Sequence, residues 1–226
     1  MSFFANVVTD EWGTSYSLKP AAYVTIIIVI LLCLFLASLT AKKQDSKSSL
    51  STRKLVFSAM AIALAVVTSL LKLFHLPMGG SITLFSMLFV CLVGYWYGLK
   101  TGLMASIAYG FLQLIIDPYI ISVPQMFVDY IFAFGALGLS GLFCKSSHGL
   151  IKGYLTGVLG RYFFAFLSGM IFFGSYAADY NMATPVYSLA YNGIYLGTEA
   201  VITLILIALP PVHDALTRVK TMALSE

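Results

Sequence analysis

The sequence predicts an all-α integral membrane protein: a six-helix transmembrane bundle preceded by one extra N-terminal transmembrane helix. The chain is 60% hydrophobic and only 10% charged, whereas a soluble domain carries about 25% charged residues. Its apolar residues fall into long segments separated by short polar loops or by loops that contain proline and glycine. The basic residues cluster in a few loops, which indicates membrane topology and argues against nucleic-acid binding.

The first span is predicted at residues 20–41, after an extracellular segment at 1–19. Lys42 and Lys43 follow this span directly, whereas a signal peptide carries its positive charge in front of the apolar stretch. We therefore expect the span to be retained. The basic linker at 42–54 is expected in the cytoplasm.

The other six spans are predicted within a membrane domain at 55–212, followed by a cytoplasmic tail at 213–226. The expected bounds are 55–74, 82–97, 103–116, 125–143, 153–173 and 188–209. Of the thirteen Lys and Arg residues, this topology places ten in cytoplasmic loops, as the positive-inside rule requires. It predicts a multi-pass plasma-membrane protein with its N-terminus outside and its C-terminus in the cytoplasm.

Asp129 is the leading candidate for a functional residue, because an acid deep within an apolar segment is costly. Gln125 lies one turn earlier on the same helix face, and Tyr130 is adjacent. The outer loop between Pro118 and Pro124 places Tyr119 nearby. Together these side chains predict one polar and aromatic group at the start of the fifth span.

A second group stands where the last outer loop enters the last span: Tyr187, Ser188, Tyr191 and Asn192. Tyr187 and Asn192 would not share a face of one straight helix, so we expect Tyr187 to belong still to the loop, as Pro185 indicates. A carboxylate, a carboxamide and several tyrosines favour a small, flat, nitrogen-bearing ligand, whose amino groups and rings they would take.

The remaining intramembrane charges, Arg161 and Glu199, are interpreted as a structural ion pair or as interfacial side chains. Sequence signals for catalysis are absent, since there is no HExxH, G-x-S-x-G or P-loop, and the cysteines have no metal-binding spacing. We therefore expect no enzyme activity and no cofactor. A self-sufficient ion-coupled secondary transporter and a membrane enzyme or assembly factor are the other classes considered.

Four stretches carry a resemblance to a known family: residues 119–130, 137–143, 161–173 and 187–193. In their order and spacing, the region from about residue 53 to 209 resembles the thiamine-specific substrate-binding component (S component) of energy-coupling factor (ECF) vitamin transporters. The resemblance implies a six-helix membrane subunit with an outward-facing pocket for thiamine. It also implies partners, namely a shared transmembrane T component and two ATPase subunits.

The same resemblance assigns roles to particular residues. Ala59 and Ala63, a small-residue pair that lets another helix approach closely, would dock the T component. Packing within this chain is the alternative reading of that pair. The substrate-binding residues would be Asp129, Asn192, Tyr187, Tyr130, Tyr119, Phe173, Gln125 and Tyr109.

The chain departs from the family pattern at the end that holds the cationic ring. Its acid in the fifth span is the shorter Asp129, Phe173 stands where a tryptophan is expected, and no tryptophan occurs at Gly79 to Ser81. Ala165 replaces a histidine, and Leu84 lies near the place of a second acid. A pyrimidine precursor or another small heterocycle is therefore the alternative ligand.

Overall fold

The computed structural model describes residues 5–10, 13–21, 24, 52–75 and 81–225. Within these ranges five helices are long and apolar enough to cross a membrane, and one apolar helix is shorter. The predicted all-α membrane fold is thereby confirmed. The predicted span at 20–41 lies almost wholly outside the described residues and stays a prediction, as do the domain boundaries.

The helices are numbered here in chain order, and the fourth of them is a composite of several short helical segments. Their bounds are α1 Thr52–Leu70, α2 Ser86–Tyr97, α3 Leu99–Ile116, α4 Val123–Phe143, α5 Gly149–Phe172, α6 Tyr176–Asp179, α7 Thr184–Ala208 and α8 Pro210–Leu224.

Two short antiparallel hairpins were not predicted from the sequence. β1 (Ala5–Asp10) pairs with β2 (Gly13–Leu18), and β3 (Lys72–His75) pairs with β4 (Ser81–Thr83). The second hairpin shortens two predicted spans. The span expected at 55–74 ends at Leu70, and the span expected to begin at residue 82 begins at Ser86, because the chain between them is extended.

The turn between α2 and α3 is also shorter than predicted. Gly98 has φ +84°, a conformation that glycine adopts readily and L-residues rarely adopt. This single residue ends α2 and begins α3, so α3 starts at Leu99 instead of the expected residue 103. The two helices consequently pack against each other.

Glycines bring the backbones of α2, α3 and α4 into direct contact. A Cβ atom at Gly102 on α3 would lie 2.7 Å from Gly94 Cα on α2 and 2.8 Å from the Gly138 carbonyl oxygen on α4. Small residues allow this close approach in membrane helices, where van der Waals packing drives association. The three helices therefore form a closely packed wall around Gly94, Gly102 and Gly138, which we call the glycine wall.

α8 lies across one end of the bundle and ties it together. The Tyr97 hydroxyl donates to the Ala223 carbonyl oxygen at 3.1 Å, and Lys220 Nζ donates to the Cys144 carbonyl oxygen at 3.3 Å. Arg53, in the first turn of α1, donates to Ser225 Oγ at 2.8 Å. The segment predicted as a tail is thus a helix that contacts α1, α2 and the connection from α4 to α5.

The glycine wall predicts unequal effects of two identical substitutions. Gly102→Ala should lower the midpoint of thermal unfolding in detergent, because overpacking costs about 1–3 kcal/mol. Gly197→Ala is the matched control, since nothing in the described part of the chain lies within 4 Å of a Cβ at that position. The control should leave the midpoint unchanged or raise it, because alanine favours helix over glycine by about 1 kcal/mol. Equal midpoints for both variants would contradict the tight contact.

Candidate functional site

A cavity of about 800 Å³ lies between α3, α4, α5 and α7, with β3 and β4 at its side. Small-molecule sites commonly have volumes of about 300–1,000 Å³. All eight residues predicted to bind substrate line this cavity, namely Tyr109, Tyr119, Gln125, Asp129, Tyr130, Phe173, Tyr187 and Asn192. The structure brings both predicted groups to one space, and their role in binding stays a prediction.

The start of α4 positions the Asp129 carboxylate. Ser122 caps this helix by accepting from the Gln125 backbone N–H at 3.2 Å, as short polar residues commonly do. The Gln125 side chain donates to Asp129 Oδ2 at 2.5 Å and to the Tyr119 carbonyl oxygen at 3.1 Å. Its own oxygen accepts from the Ile121 N–H at 3.1 Å. Every polar atom of this buried amide is therefore used to hold the acid and the loop before it.

The backbone of α4 is unusual at this point. Phe127–Phe132 forms a π-helical turn, a rare feature that is frequent at functional sites. Asp129 and Tyr130 both lie within this wide turn and both line the cavity.

Tyr130 fixes the loop that precedes α4. Its hydroxyl donates to the Asp117 carbonyl oxygen at 2.8 Å and accepts from the Tyr119 N–H at 2.7 Å. The Tyr130 side chain is buried, so both bonds lie largely out of water. The loop from Asp117 to Ile121 is thus held at two successive places, by Tyr130 and by Gln125.

α7 contributes the amide of Asn192 and three of the aromatic rings that line the cavity, those of Tyr187, Tyr191 and Tyr195. Asn192 Nδ2 donates to the Ser188 carbonyl oxygen at 2.9 Å and to the Ala165 carbonyl oxygen at 3.2 Å. None of the hydrogen bonds among the described residues uses the side-chain oxygen of Asn192, which leaves that oxygen for a ligand donor. The rings of Tyr187 and Tyr191 stack at 5.8 Å with an angle of 6° between planes.

The prediction that Tyr187 belongs to the loop is wrong. α7 begins at Thr184, and Pro185 lies in its first turn, where the missing N–H and the fixed φ of proline cost nothing. Tyr187 and Asn192 nevertheless both line the cavity. Tyr187 does so with a ring that stacks between Tyr180 and Tyr191.

Aromatic side chains also stand where the loops meet the cavity. Tyr119 stacks on Phe173 at 6.0 Å, and its hydroxyl lies 2.8 Å from that of Tyr176 on α6. Tyr119 is 44% exposed, so this cluster lies at the edge of the cavity. At the same side, Lys72 of β3 forms an ion pair with Asp117 at 3.0 Å.

Arg161 and Glu199 are not the structural ion pair that the sequence-based interpretation offered. Both line the cavity, and among the described residues they form no ion pair with each other, because the only pair found there joins Lys72 and Asp117. The Arg161 guanidinium lies 4.2 Å from the centre of the Phe134 ring. The seven-residue spacing from Asn192 to Glu199 spans two helical turns, and this signal places Glu199 on the cavity face.

The predicted docking pair lies elsewhere, on α1. Ala59 and Ala63 are exposed, whereas Ala61 and Ala65 are buried against the bundle. Within the described part of the chain the alternative reading, that Ala59 and Ala63 pack inside the bundle, is not supported by their exposure.

Comparisons with known proteins agree with this architecture. A family model described as thiamine transporter protein (Thia_YuaJ) matches residues 55–218. Thiamine transporter ThiT from Bacillus subtilis is 31% identical over 170 residues, which cover 68% of this chain and 85% of the relative. A solved structure of ThiT from Listeria monocytogenes superposes with a TM-score of 0.58 at 24% identity, covering 70% of this chain and 94% of that one.

The two hydrogen bonds of the Tyr130 hydroxyl should stabilise the loop before α4. Tyr130→Phe should lower the unfolding midpoint and speed hydrogen exchange at the Tyr119 amide by about tenfold or more, because a lost hydrogen bond to a buried group costs about 1–3 kcal/mol. Exchange is measured by mass spectrometry of peptides that cover the loop.

The matched control is Tyr154→Phe. The Tyr154 hydroxyl is buried and makes no hydrogen bond among the described residues, so its removal should leave both the midpoint and the loop exchange rate unchanged or raise the midpoint. Similar losses in the two variants would show that Tyr130 acts only through packing.

Proposed function

This chain belongs to the thiamine transporter protein family, and we propose from that membership and from its cavity that it is the thiamine-binding S component of an ECF uptake transporter. The observation that carries the proposal is the convergence of Asp129, Gln125 and Asn192 with a set of tyrosines on one cavity inside a membrane domain. The role is transport of a bound vitamin and not catalysis.

Recognition of the aminopyrimidine ring follows from the donor and acceptor pattern. The ring carries an exocyclic amino group, which donates hydrogen bonds, beside ring nitrogens, which accept them. The Asp129 carboxylate and the Asn192 side-chain oxygen supply acceptors, and the tyrosine hydroxyls supply donors. Gln125 keeps Asp129 in place without competing for its second oxygen, because its bond is to Oδ2 alone.

The stacked tyrosines of α7 and the Tyr119–Phe173 pair supply flat apolar faces on two sides of the cavity. Aromatic faces stack on the flat rings of a heterocyclic ligand, and each such contact contributes about 0.5–1.5 kcal/mol. Phe173, at the mouth with Tyr119, offers such a face to the ring that is held nearer the outside.

The direction of transport follows from the positive-inside rule. We place α8, the basic linker at 42–54 and the α4–α5 connection in the cytoplasm, so that the mouth formed by Tyr119, Tyr176 and the Lys72–Asp117 pair faces outward. The protein would collect thiamine from outside and release it toward the cytoplasm. Docking of the exposed Ala59–Ala63 face onto a T component, energised by two ATPase subunits, would drive release.

Ligand binding by the purified full chain tests the site. Isothermal titration calorimetry should give thiamine binding that weakens by about 10- to 100-fold in Asp129→Asn, because a hydrogen bond to a charged group contributes about 1.5–3 kcal/mol. Asp214→Asn on α8, outside the cavity, is the control and should bind as the wild type does. Tighter binding of the isolated hydroxymethyl-aminopyrimidine than of thiamine would instead indicate a precursor transporter.

The docking face is tested by enlarging it. Ala63→Leu should abolish co-purification with the T component and ATPase subunits and abolish uptake, because the added side chain prevents close helix approach. Thiamine affinity of the isolated variant should not change. Leu64→Phe enlarges an exposed residue about 100° around the helix and should leave assembly intact. Loss of assembly in both variants would argue against a specific docking face.

A further inference from the structure

Glu199 occupies the deep end of one cavity-lining face of α7. Ser188, Asn192, Tyr195 and Glu199 follow one another on this face and all line the cavity. Two helical turns, about 10 Å, separate Asn192 from Glu199 along the axis. The acid is 3% exposed, so it lies well below the aromatic mouth and at a distance from the Asp129–Asn192 group that suits the length of a two-ring ligand.

The carboxylate of Glu199 is oriented by three neutral donors from one short segment. Thr83 Oγ1 donates to Oε2 at 2.8 Å, while Ser86 Oγ and the Met87 N–H donate to Oε1 at 3.2 and 3.3 Å. Ser86 and Met87 form the first turn of α2. The N-terminal end of a helix stabilises negative charge, so the position is built for a carboxylate.

The cavity wall has more acidic than basic residues. Its acids are Asp117, Asp129 and Glu199, and its bases are Lys72 and Arg161. Lys72 is paired with Asp117 at the mouth. Arg161, set over the Phe134 ring, is then the only base on the described wall for two acids, and it forms no ion pair with either. When both acids are ionised, this wall carries one more negative than positive charge, and a ligand with a single positive charge would neutralise it.

We propose that Glu199, oriented by Thr83, is the cation-binding group of the cavity and selects for the positively charged ring of the ligand. This assignment rests on the proposed function and deepens it. Asp129 and Asn192 hold the uncharged amino-bearing ring, and Glu199 faces the cationic one about two turns deeper. Asp129 and Glu199 thereby have separate tasks at the two ends of one site.

The same contacts are also compatible with a purely structural role for Glu199. In that case Glu199 only caps the N-terminus of α2 from a neighbouring helix, and its removal would weaken the fold without regard to ligand charge. The charge of the ligand therefore separates the two roles.

The test compares thiamine with a neutral analogue of the same shape, in which an uncharged thiophene replaces the thiazolium ring. Both are titrated calorimetrically into the purified full chain. Glu199→Gln keeps the size of the side chain and an oxygen for the cap. We expect it to weaken thiamine binding by about tenfold or more, equivalent to at least about 1.4 kcal/mol, and to change binding of the neutral analogue by less than about twofold.

Two further variants guard against misfolding. Thr83→Val removes the shortest of the three bonds to the carboxylate and should lower thiamine affinity several-fold with the neutral analogue unaffected. Asp214→Asn on α8, outside the cavity, is the control and should leave the ratio of the two affinities unchanged.

The outcomes separate this assignment from the proposed function. Equal losses for both ligands in Glu199→Gln, or no loss for either, would overturn the cation-binding role while thiamine binding by the wild type still supports the transporter. Failure of the wild type to bind thiamine at all would overturn both. A selective loss of thiamine binding in both Glu199→Gln and Thr83→Val supports the assignment.

Discussion

The geometry of the cavity depends on the hydrogen bonds of Gln125, Tyr130 and Glu199, within a domain whose lipid surroundings offer no hydrogen bonds. Gln125 uses its whole amide to hold Asp129 and the loop before it. Tyr130 holds the same loop through its hydroxyl. Glu199 receives three donors from the start of α2. Because an unpaired buried polar group costs several kcal/mol in such surroundings, the geometry of the site and the stability of the fold are set by the same contacts.

These contacts distinguish residues that position the site from residues that can contact the ligand. The side-chain polar atoms of Gln125 and Tyr130 are all hydrogen-bonded within the protein, so these two residues position other groups. Asp129 and Asn192 each keep an acceptor oxygen for the cavity, and the tyrosines of α7 present their rings to it. Preorganised groups of this kind lose little freedom when a ligand binds, which is how a small site attains high affinity.

Sequence reasoning succeeded where a local rule was sufficient. The four-residue spacing of Gln125 and Asp129 predicted their contact, and apolar segments predicted the spans. It failed where the position of a side chain depended on the path of the chain between elements. Tyr187 lies in a helix and not in the loop, and Glu199 forms no ion pair with Arg161. Comparison of the sequence with the family pattern also finds no acid near Leu84. The neighbouring residue Thr83, however, donates a hydrogen bond to Glu199 of α7, which lies 116 residues away in the sequence. Such convergence belongs to tertiary structure and has no signature in a single sequence.

The glycine wall determines which parts of this protein are free to diverge. Where backbone touches backbone at Gly94, Gly102 and Gly138, no side chain can be added without moving a helix, so the wall offers no room for a new pocket shape. α7 presents long side chains to the cavity instead, and these can be exchanged one at a time. Over evolutionary time, changes of ligand preference should therefore accumulate on α7, on the loops and at cavity-facing positions such as Asp129, while the glycine contacts between α2, α3 and α4 remain unaltered.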